Sequence, residues 1–127
     1  RDSPYTAQAT IAYWNDLVTK VRKALAADGP SFINILSPCR LGWGYPPEKT
    51  LDIARLAVDT CFWPLYEFEN GKYHITVKPK EKKPVVEFLK IQDRFGHIFK
   101  AKDQAMLDRI QQEFDRKWER LLKLSRD

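Results

Sequence analysis

The alternation of apolar and polar residues predicts a β-α-β unit at the start of the chain. Residues 5–10 form a strand candidate, and residues 11–27 change to helical spacing. The turn at Asp28-Gly29-Pro30 ends this helix, because Gly tolerates a left-handed cap and Pro cannot continue the helix. Residues 31–36 are almost continuously apolar, which is typical of a buried strand in a parallel sheet. The apolar face of the helix consists of Trp14, Leu17, Val18, Val21 and Leu25, with Asp16, Lys20, Arg22 and Lys23 predicted to face solvent.

After this unit the pattern predicts a Gly- and Pro-rich loop, a helix, a hairpin and a long amphipathic helix. Residues 37–47 are expected to form no regular structure, and a helix runs from residue 47 or 48 to about residue 60. Asn70-Gly71 separates two alternating segments, 64–69 and 72–77, which is a strong hairpin signal. A short helix is predicted over residues 85–91 and a long one over residues 103–124. The apolar stripe of the long helix consists of Leu107, Ile110, Phe114, Trp118, Leu121 and Leu122.

These elements predict an α/β fold with two parts. A composition shift near residue 46 separates the β-α-β part, residues 1–46, from an α+β extension, residues 47–127. The extension holds a helix, the hairpin and the long C-terminal helix. A chain of 127 residues fits one domain or part of one. Because the chain begins at Arg1 with no initiator Met and no apolar leader, we expect a piece of a longer protein without a signal peptide here.

Composition and charge exclude several classes of protein. Hydrophobic residues make up 43% and charged residues 31%, which is globular composition. No apolar run approaches the roughly 20 residues that a membrane span needs. The net charge is +5, but the basic stretch at residues 78–83 has no interleaved aromatic residues. We therefore expect a solvated linker there, and a cytoplasmic protein that binds neither membrane nor nucleic acid.

Cys39 is the residue most suited to chemistry. It follows a predicted buried strand and begins the Gly-rich loop. It is either a metal or cluster ligand, a nucleophile, or a buried Cys that acts as a small hydrophobic residue. No second Cys lies at the spacing of a local metal site, and Cys61 is expected in the core at the end of an apolar helix. His74 and His97 have no neighbours at metal or triad spacing and receive no role.

The motif Ser-Pro-Cys-x-x-Gly-Trp at residues 37–43 carries a family resemblance. With the preceding residues 29–36, it resembles the end of the thiamin-binding domain of pyruvate:ferredoxin oxidoreductases. In the multi-subunit 2-oxoacid:ferredoxin oxidoreductases this domain is the β subunit. Residues 5–8, 47–58, 63–66 and 83–87 also resemble that family, so the resemblance spans roughly residues 4–99. It implies that the chain is a C-terminal fragment of the β subunit.

The resemblance implies cofactors, partners and one ligand. In the family, the Cys at the position of Cys39 is the last of four thiolates that hold a [4Fe–4S] cluster, and the other three lie far upstream. Backbone hydrogen bonds from the loop at Gly42–Gly44 to its sulfur, and burial by Trp43, are expected to tune the cluster. Thiamin diphosphate with Mg²⁺ is expected to bind residues before this chain, so no catalytic or thiamin-binding residue is assigned here.

The implied reaction is the oxidative decarboxylation of a 2-oxo acid to an acyl-CoA, with electrons passing through [4Fe–4S] clusters to ferredoxin. The implied partners are the other oxidoreductase subunits, ferredoxin, the 2-oxo acid and coenzyme A. The alternative hypothesis is a non-catalytic interaction module that docks a partner subunit through its C-terminal helix.

Overall fold

Four strands and six helices make up the computed structural model, which describes residues 4–126. The strands are β1 (Tyr5–Thr10), β2 (Ser31–Leu36), β3 (Leu65–Glu69) and β4 (Lys72–Val77). The helices are α1 (Trp14–Ala26), α2 (Arg40–Trp43), α3 (Thr50–Asp59), α4 (Val85–Leu89), α5 (Gly96–Lys100) and α6 (Gln104–Leu124). Single 3-10 turns at Pro47–Lys49 and Asp93–Phe95 precede α3 and α5.

The four strands form one mixed sheet in the order β2-β1-β3-β4. β1 and β2 are parallel and joined by α1, which confirms the predicted β-α-β unit. Asn70 and Gly71 have φ values of 52° and 76°, the left-handed conformations that the predicted hairpin turn requires. The hairpin β3–β4 continues the same sheet, because β3 pairs antiparallel with β1. Residues before and after position 46 therefore share one sheet, and a domain boundary there stays a prediction.

The prediction that residues 31–36 form a buried strand is wrong in this structure. β2 lies at the end of the sheet, and no other strand of residues 4–126 pairs with its outer edge. Phe32 is 63% exposed on one face of the strand, and Ile35 is exposed on the other. The buried interior strand is β1, where Tyr5, Ala7 and Ala9 lie in the core. An apolar pattern on both faces predicts burial only where neighbours cover both faces and both edges.

The predicted apolar face of α1 is also wrong in part. Leu17 faces the sheet as predicted, but Trp14 is exposed and Leu25 is 83% exposed. Lys20, which we predicted to face solvent, is only 1% exposed and lies between α1 and the sheet. The face of α1 that contacts the sheet is therefore rotated away from the most apolar face of the helix.

Lys20 is buried because oxygen atoms satisfy all three of its ammonium donors. Its Nζ donates to the carbonyl oxygen of Gln8 at 2.7 Å, to Asp16 Oδ2 at 2.7 Å and to Thr76 Oγ1 at 2.8 Å. Burial lowers the pKa of Lys20, and the carboxylate of Asp16 acts in the opposite direction. The ammonium thus links α1 to β1 and β4.

A second polar contact ties α1 to the sheet. Lys23 Nζ donates to Glu67 Oε2 at 2.8 Å, and the hydroxyl of Tyr5 donates to Glu67 Oε1 at 2.7 Å. Burial opposes ionisation of Glu67, but these two donors outweigh it and hold the pKa of this carboxyl below its ordinary value. Glu67 lies on β3, one of the two interior strands, so it anchors the last turn of α1 to the middle of the sheet.

The long helix α6 begins after Asp103, whose Oδ1 accepts a hydrogen bond from the backbone N–H of Met106 at 3.1 Å. Its predicted apolar stripe is confirmed and packs against the chain's own core. Leu107, Ile110 and Phe114 contact the cluster around Ile53 and Phe88. The stripe continues into a second cluster, which is made by Cys61, Ile75, Trp118 and Leu121. No helix within residues 4–126 combines the length and apolar character needed to cross a membrane.

Candidate functional site

Cys39 lies beyond the carboxyl end of β2 and caps the N-terminus of the one-turn helix α2. Cys39 is exposed, so none of the described residues 4–126 buries it as a packed hydrophobic residue. The backbone N–H of Gly42 donates to Cys39 Sγ at 3.3 Å. The expectation that residues 37–47 lack regular structure is wrong at α2, where the N–H of Trp43 bonds the carbonyl oxygen of Cys39 at 2.8 Å.

Glycine at position 42 allows this close approach to sulfur. A Cβ atom on Gly42 would lie 3.2 Å from Cys39 Sγ, which is tighter than an ordinary van der Waals contact. A side chain would therefore push the thiol and the amide apart. The spacing Cys-x-x-Gly thus has a local physical reason, namely a backbone donor directed at the sulfur.

The loop that follows α2 is fixed by residues 92–95, which we call the clamp segment. Gly44 has a φ of 73°, and the backbone N–H of Asp93 donates to its carbonyl oxygen at 2.8 Å. A Cβ atom on Gly44 would lie 2.7 Å from Asp93 Cβ, a distance that real side chains do not adopt. Gly44 is therefore required both for its left-handed backbone and for contact with the clamp segment.

The clamp segment also holds Trp43 through a cation–π contact. The guanidinium carbon of Arg94 lies 4.1 Å from the centre of the Trp43 ring. Arg94 Nε donates to Gln92 Oε1 at 2.7 Å, and the buried Gln92 in turn donates to the carbonyl oxygen of Phe88 at 2.5 Å. Burial lowers the pKa of Arg94. These contacts connect α4 in the core to the ring of Trp43, which lies four residues after Cys39.

Cys39 does not belong to a metal-binding cluster in the part of the chain that the structure describes. Within residues 4–126 no group of three or more His, Cys, Asp or Glu side chains is placed to hold a metal ion. Cys61 is 4% exposed in the core, as predicted, and burial raises the pKa of its thiol to about 11. Cys39 is therefore an exposed thiol with one amide donor to its sulfur, and any set of four thiolates that includes it would need ligands from outside the described residues.

Comparison with known proteins identifies the family. No protein-family model matches the chain. The chain is 52% identical over 114 residues, 90% of its length, to pyruvate synthase subunit PorB of Methanocaldococcus jannaschii. It is 46% identical over 124 residues, 97% of its length, to the PorB subunit of Thermotoga maritima. The chain belongs to the PorB/VorB subunit family. Ketoisovalerate oxidoreductase subunit VorB of Pyrococcus horikoshii is likewise 46% identical, over 96% of the chain.

The chain corresponds to only part of a PorB or VorB subunit. It spans 37% of the subunit from Methanocaldococcus jannaschii, 38% of that from Thermotoga maritima and 39% of that from Pyrococcus horikoshii. The prediction that the chain is a fragment of an oxidoreductase β subunit is therefore confirmed. Ligands that the residues described here lack can therefore lie in the larger part of such a subunit.

The sequence pointed to Cys39, Gly42 and Trp43 but not to the clamp segment. The expected backbone hydrogen bond to the sulfur is present, with Gly42 as its donor. Burial of the thiol by Trp43 is not observed, because the Trp43 ring packs against Tyr45 and Phe88 while Cys39 stays exposed. No pattern near Arg94 signals its contact with Trp43.

The two cysteines should react at very different rates in the metal-free chain. We expect iodoacetamide to alkylate Cys39 at least about 100-fold faster than Cys61, because only Cys39 is exposed and burial raises the pKa of Cys61 to about 11. Peptide mass spectrometry at several time points measures both rates in one sample. Equal rates in the native chain would contradict the structure, and equal rates in denaturant are the matched control.

Proposed function

We propose that the chain is the C-terminal part of the β subunit of a thiamin-dependent pyruvate or related 2-oxoacid:ferredoxin oxidoreductase. In this proposal Cys39 contributes one of four thiolates to a [4Fe–4S] cluster. The identity to PorB and VorB subunits supports the enzyme class. The observation that carries the role of Cys39 is its exposed thiol, which accepts a hydrogen bond from the backbone N–H of Gly42. The loop that follows is held by the clamp segment.

The residues around Cys39 position and tune its sulfur. The N–H of Gly42 stabilises negative charge on the thiolate, and such hydrogen bonds shift the potential of a bound cluster. Contacts of the clamp segment with Trp43 and Gly44 hold the loop in this arrangement. When bound, thiamin diphosphate supplies the electron sink for decarboxylation, and the cluster carries electrons towards ferredoxin.

Most of the proposed active site lies outside these residues. None of the described side chains is assigned as a ligand of thiamin diphosphate or Mg²⁺, or as a contact for the 2-oxo acid or coenzyme A. The other subunits and the larger part of the β subunit supply these groups in the proposal. The 127-residue chain is therefore expected to be inactive by itself.

The alternative function, a module that docks a partner through its C-terminal helix, has less support. Docking through the apolar stripe of α6 requires that stripe to be accessible. Trp118 and Leu121 are buried, and Leu107, Ile110 and Phe114 pack against the core of the same chain. Partner contacts by α6 would have to use another face of the helix.

An assay of the purified complex tests the proposal. With thiamin diphosphate, Mg²⁺, coenzyme A and oxidised ferredoxin present, we expect pyruvate or ketoisovalerate to yield acyl-CoA and reduced ferredoxin. Omission of coenzyme A or of thiamin diphosphate should stop acyl-CoA formation. If neither 2-oxo acid reduces ferredoxin in a complex that contains both cofactors, the proposed function is wrong.

A further inference from the structure

A solvent-open cavity of about 300 Å³ lies between the C-terminal part of α6 and the sheet. Its walls are largely apolar and come from four parts of the chain: β1, the segment after α3, the hairpin and α6. The rings of Tyr66 and Tyr73 form one side, with their centres 5.7 Å apart. The apolar walls also include Phe62, Pro64, Leu121 and Leu124.

Two cations border this cavity. Lys117 and Arg120 lie one turn apart on α6 and line it, whereas no Asp or Glu of residues 4–126 does so. The carboxylate of Glu113, one turn before Lys117, forms its ion pair with Arg116 and also interacts electrostatically with Lys117, whereas Arg120 has no such carboxylate contact within residues 4–126. The helix dipole favours cations near the C-terminus of a helix, but only within the last turn. It therefore does not explain why these two cations lie beside an apolar cavity.

The apolar residues at this cavity are accessible as well. Phe62 and Leu124 are among the exposed large hydrophobic side chains of the molecule. Apolar surface flanked by like charges favours an occupant with apolar anchors and charges of the opposite sign. Because the cavity is small and open on one side, side chains of a polypeptide segment suit it better than an enclosed small molecule.

We propose that this surface docks an acidic amphipathic segment of a partner subunit in the oxidoreductase complex. The inference rests on the proposed function only in requiring that the chain works within a multi-subunit complex. A second copy of this chain is disfavoured, because a symmetric contact would bring Lys117 and Arg120 of both copies together. The partner segment places an apolar side chain between the tyrosines and Leu124, and its carboxylates against the two cations.

Site-specific photo-cross-linking in the purified complex tests this contact. A photoreactive phenylalanine analogue replaces Leu124, which is 48% exposed at the cavity, and separately Leu51, which is 47% exposed on α3 and does not line the cavity. We expect position 124 to cross-link to an Asp- or Glu-rich segment of a different subunit, and position 51 to give no product with that segment. A product within the same subunit, a product between two copies, or no product from position 124 overturns the proposal.

Charge reversal gives an independent measurement. We expect Lys117→Glu with Arg120→Glu to raise the dissociation constant of the partner subunit at least about tenfold, because both attractive charges become repulsive. Arg109→Glu with Lys123→Glu changes the net charge of α6 equally but leaves the cavity lining intact, so less than about a twofold change is expected. An equal loss in both double variants overturns the docking proposal.

The iron content of each variant separates the two proposals. If the cross-linking and charge-reversal results contradict docking while iron content and ferredoxin reduction remain normal, the docking proposal alone is wrong. If the complex never reduces ferredoxin, the proposed function is wrong, whatever the cross-links show.

Discussion

Cys39→Ser is expected to remove one [4Fe–4S] cluster, about four iron atoms, from each β subunit of the complex. Serine keeps the size of the side chain, but its hydroxyl stays protonated near neutral pH and replaces a thiolate poorly. Ferredoxin reduction should fall by at least about 100-fold, because loss of a direct ligand exceeds the 10–100-fold effects typical of residues behind the ligands. Thiamin diphosphate binding should persist, since none of its assigned ligands lies in this chain.

Iron analysis and electron paramagnetic resonance of the reduced complex measure this effect. Cys61→Ala is the matched control, because Cys61 is the other cysteine of the chain and is buried away from solvent. It should keep the full iron content and lose only some stability. A Cys39→Ser complex with unchanged iron and unchanged electron transfer would show that Cys39 holds no cluster.

Lys20→Met should be the most destabilising single substitution in the β-α-β unit. Methionine fills most of the space of the lysine stem, but it leaves the carboxylate of Asp16 without its ammonium partner. The carbonyl oxygen of Gln8 and the hydroxyl of Thr76 also lose a donor. Removal of one partner from a buried ion pair costs about 3–5 kcal/mol. Urea denaturation, followed by circular dichroism, measures the change in the free energy of unfolding.

Two further variants identify the cause of this loss. Arg22→Met removes a cation from the exposed face of the same helix and should change the free energy of unfolding by less than about 0.5 kcal/mol. Asp16→Asn combined with Lys20→Met should recover part of the loss, because no unpaired carboxylate remains. A loss below about 1 kcal/mol for Lys20→Met would contradict the buried network.

Local signals in the sequence were sufficient for most elements of the fold. The Asn70-Gly71 turn, the crossover from β1 to β2 and the long helix α6 each depend on residues close together in the chain. Pairing of the hairpin with β1 was not predicted, because it joins strands separated by more than fifty residues, as in the pair Thr6–Phe68. Local patterns contain no information about which distant edge a hairpin joins.

The environment of α1 shows a second limit of pattern analysis. Apolar periodicity placed Lys20 in solvent, because charged residues are almost never fully buried unless they are paired. One partner comes from the preceding turn of its own helix, but the other two come from β1 and β4, so only the folded sheet provides them. At the candidate site the motif identified Cys39, whereas Arg94 lies far along the chain and contacts Trp43 only after folding.

The open edge of β2 makes the 127-residue chain prone to aggregation when the chain is produced alone. Residues 31–36 contain no charge, no proline and no glycine, and their outer backbone groups pair with no other strand of residues 4–126. Such an edge is a template for strand addition between molecules, and short uncharged β-rich segments are the usual nuclei of amyloid-like fibrils. Recombinant work on the isolated piece therefore needs a charged substitution at exposed Phe32, or a solubilising fusion, to keep the preparation monodisperse.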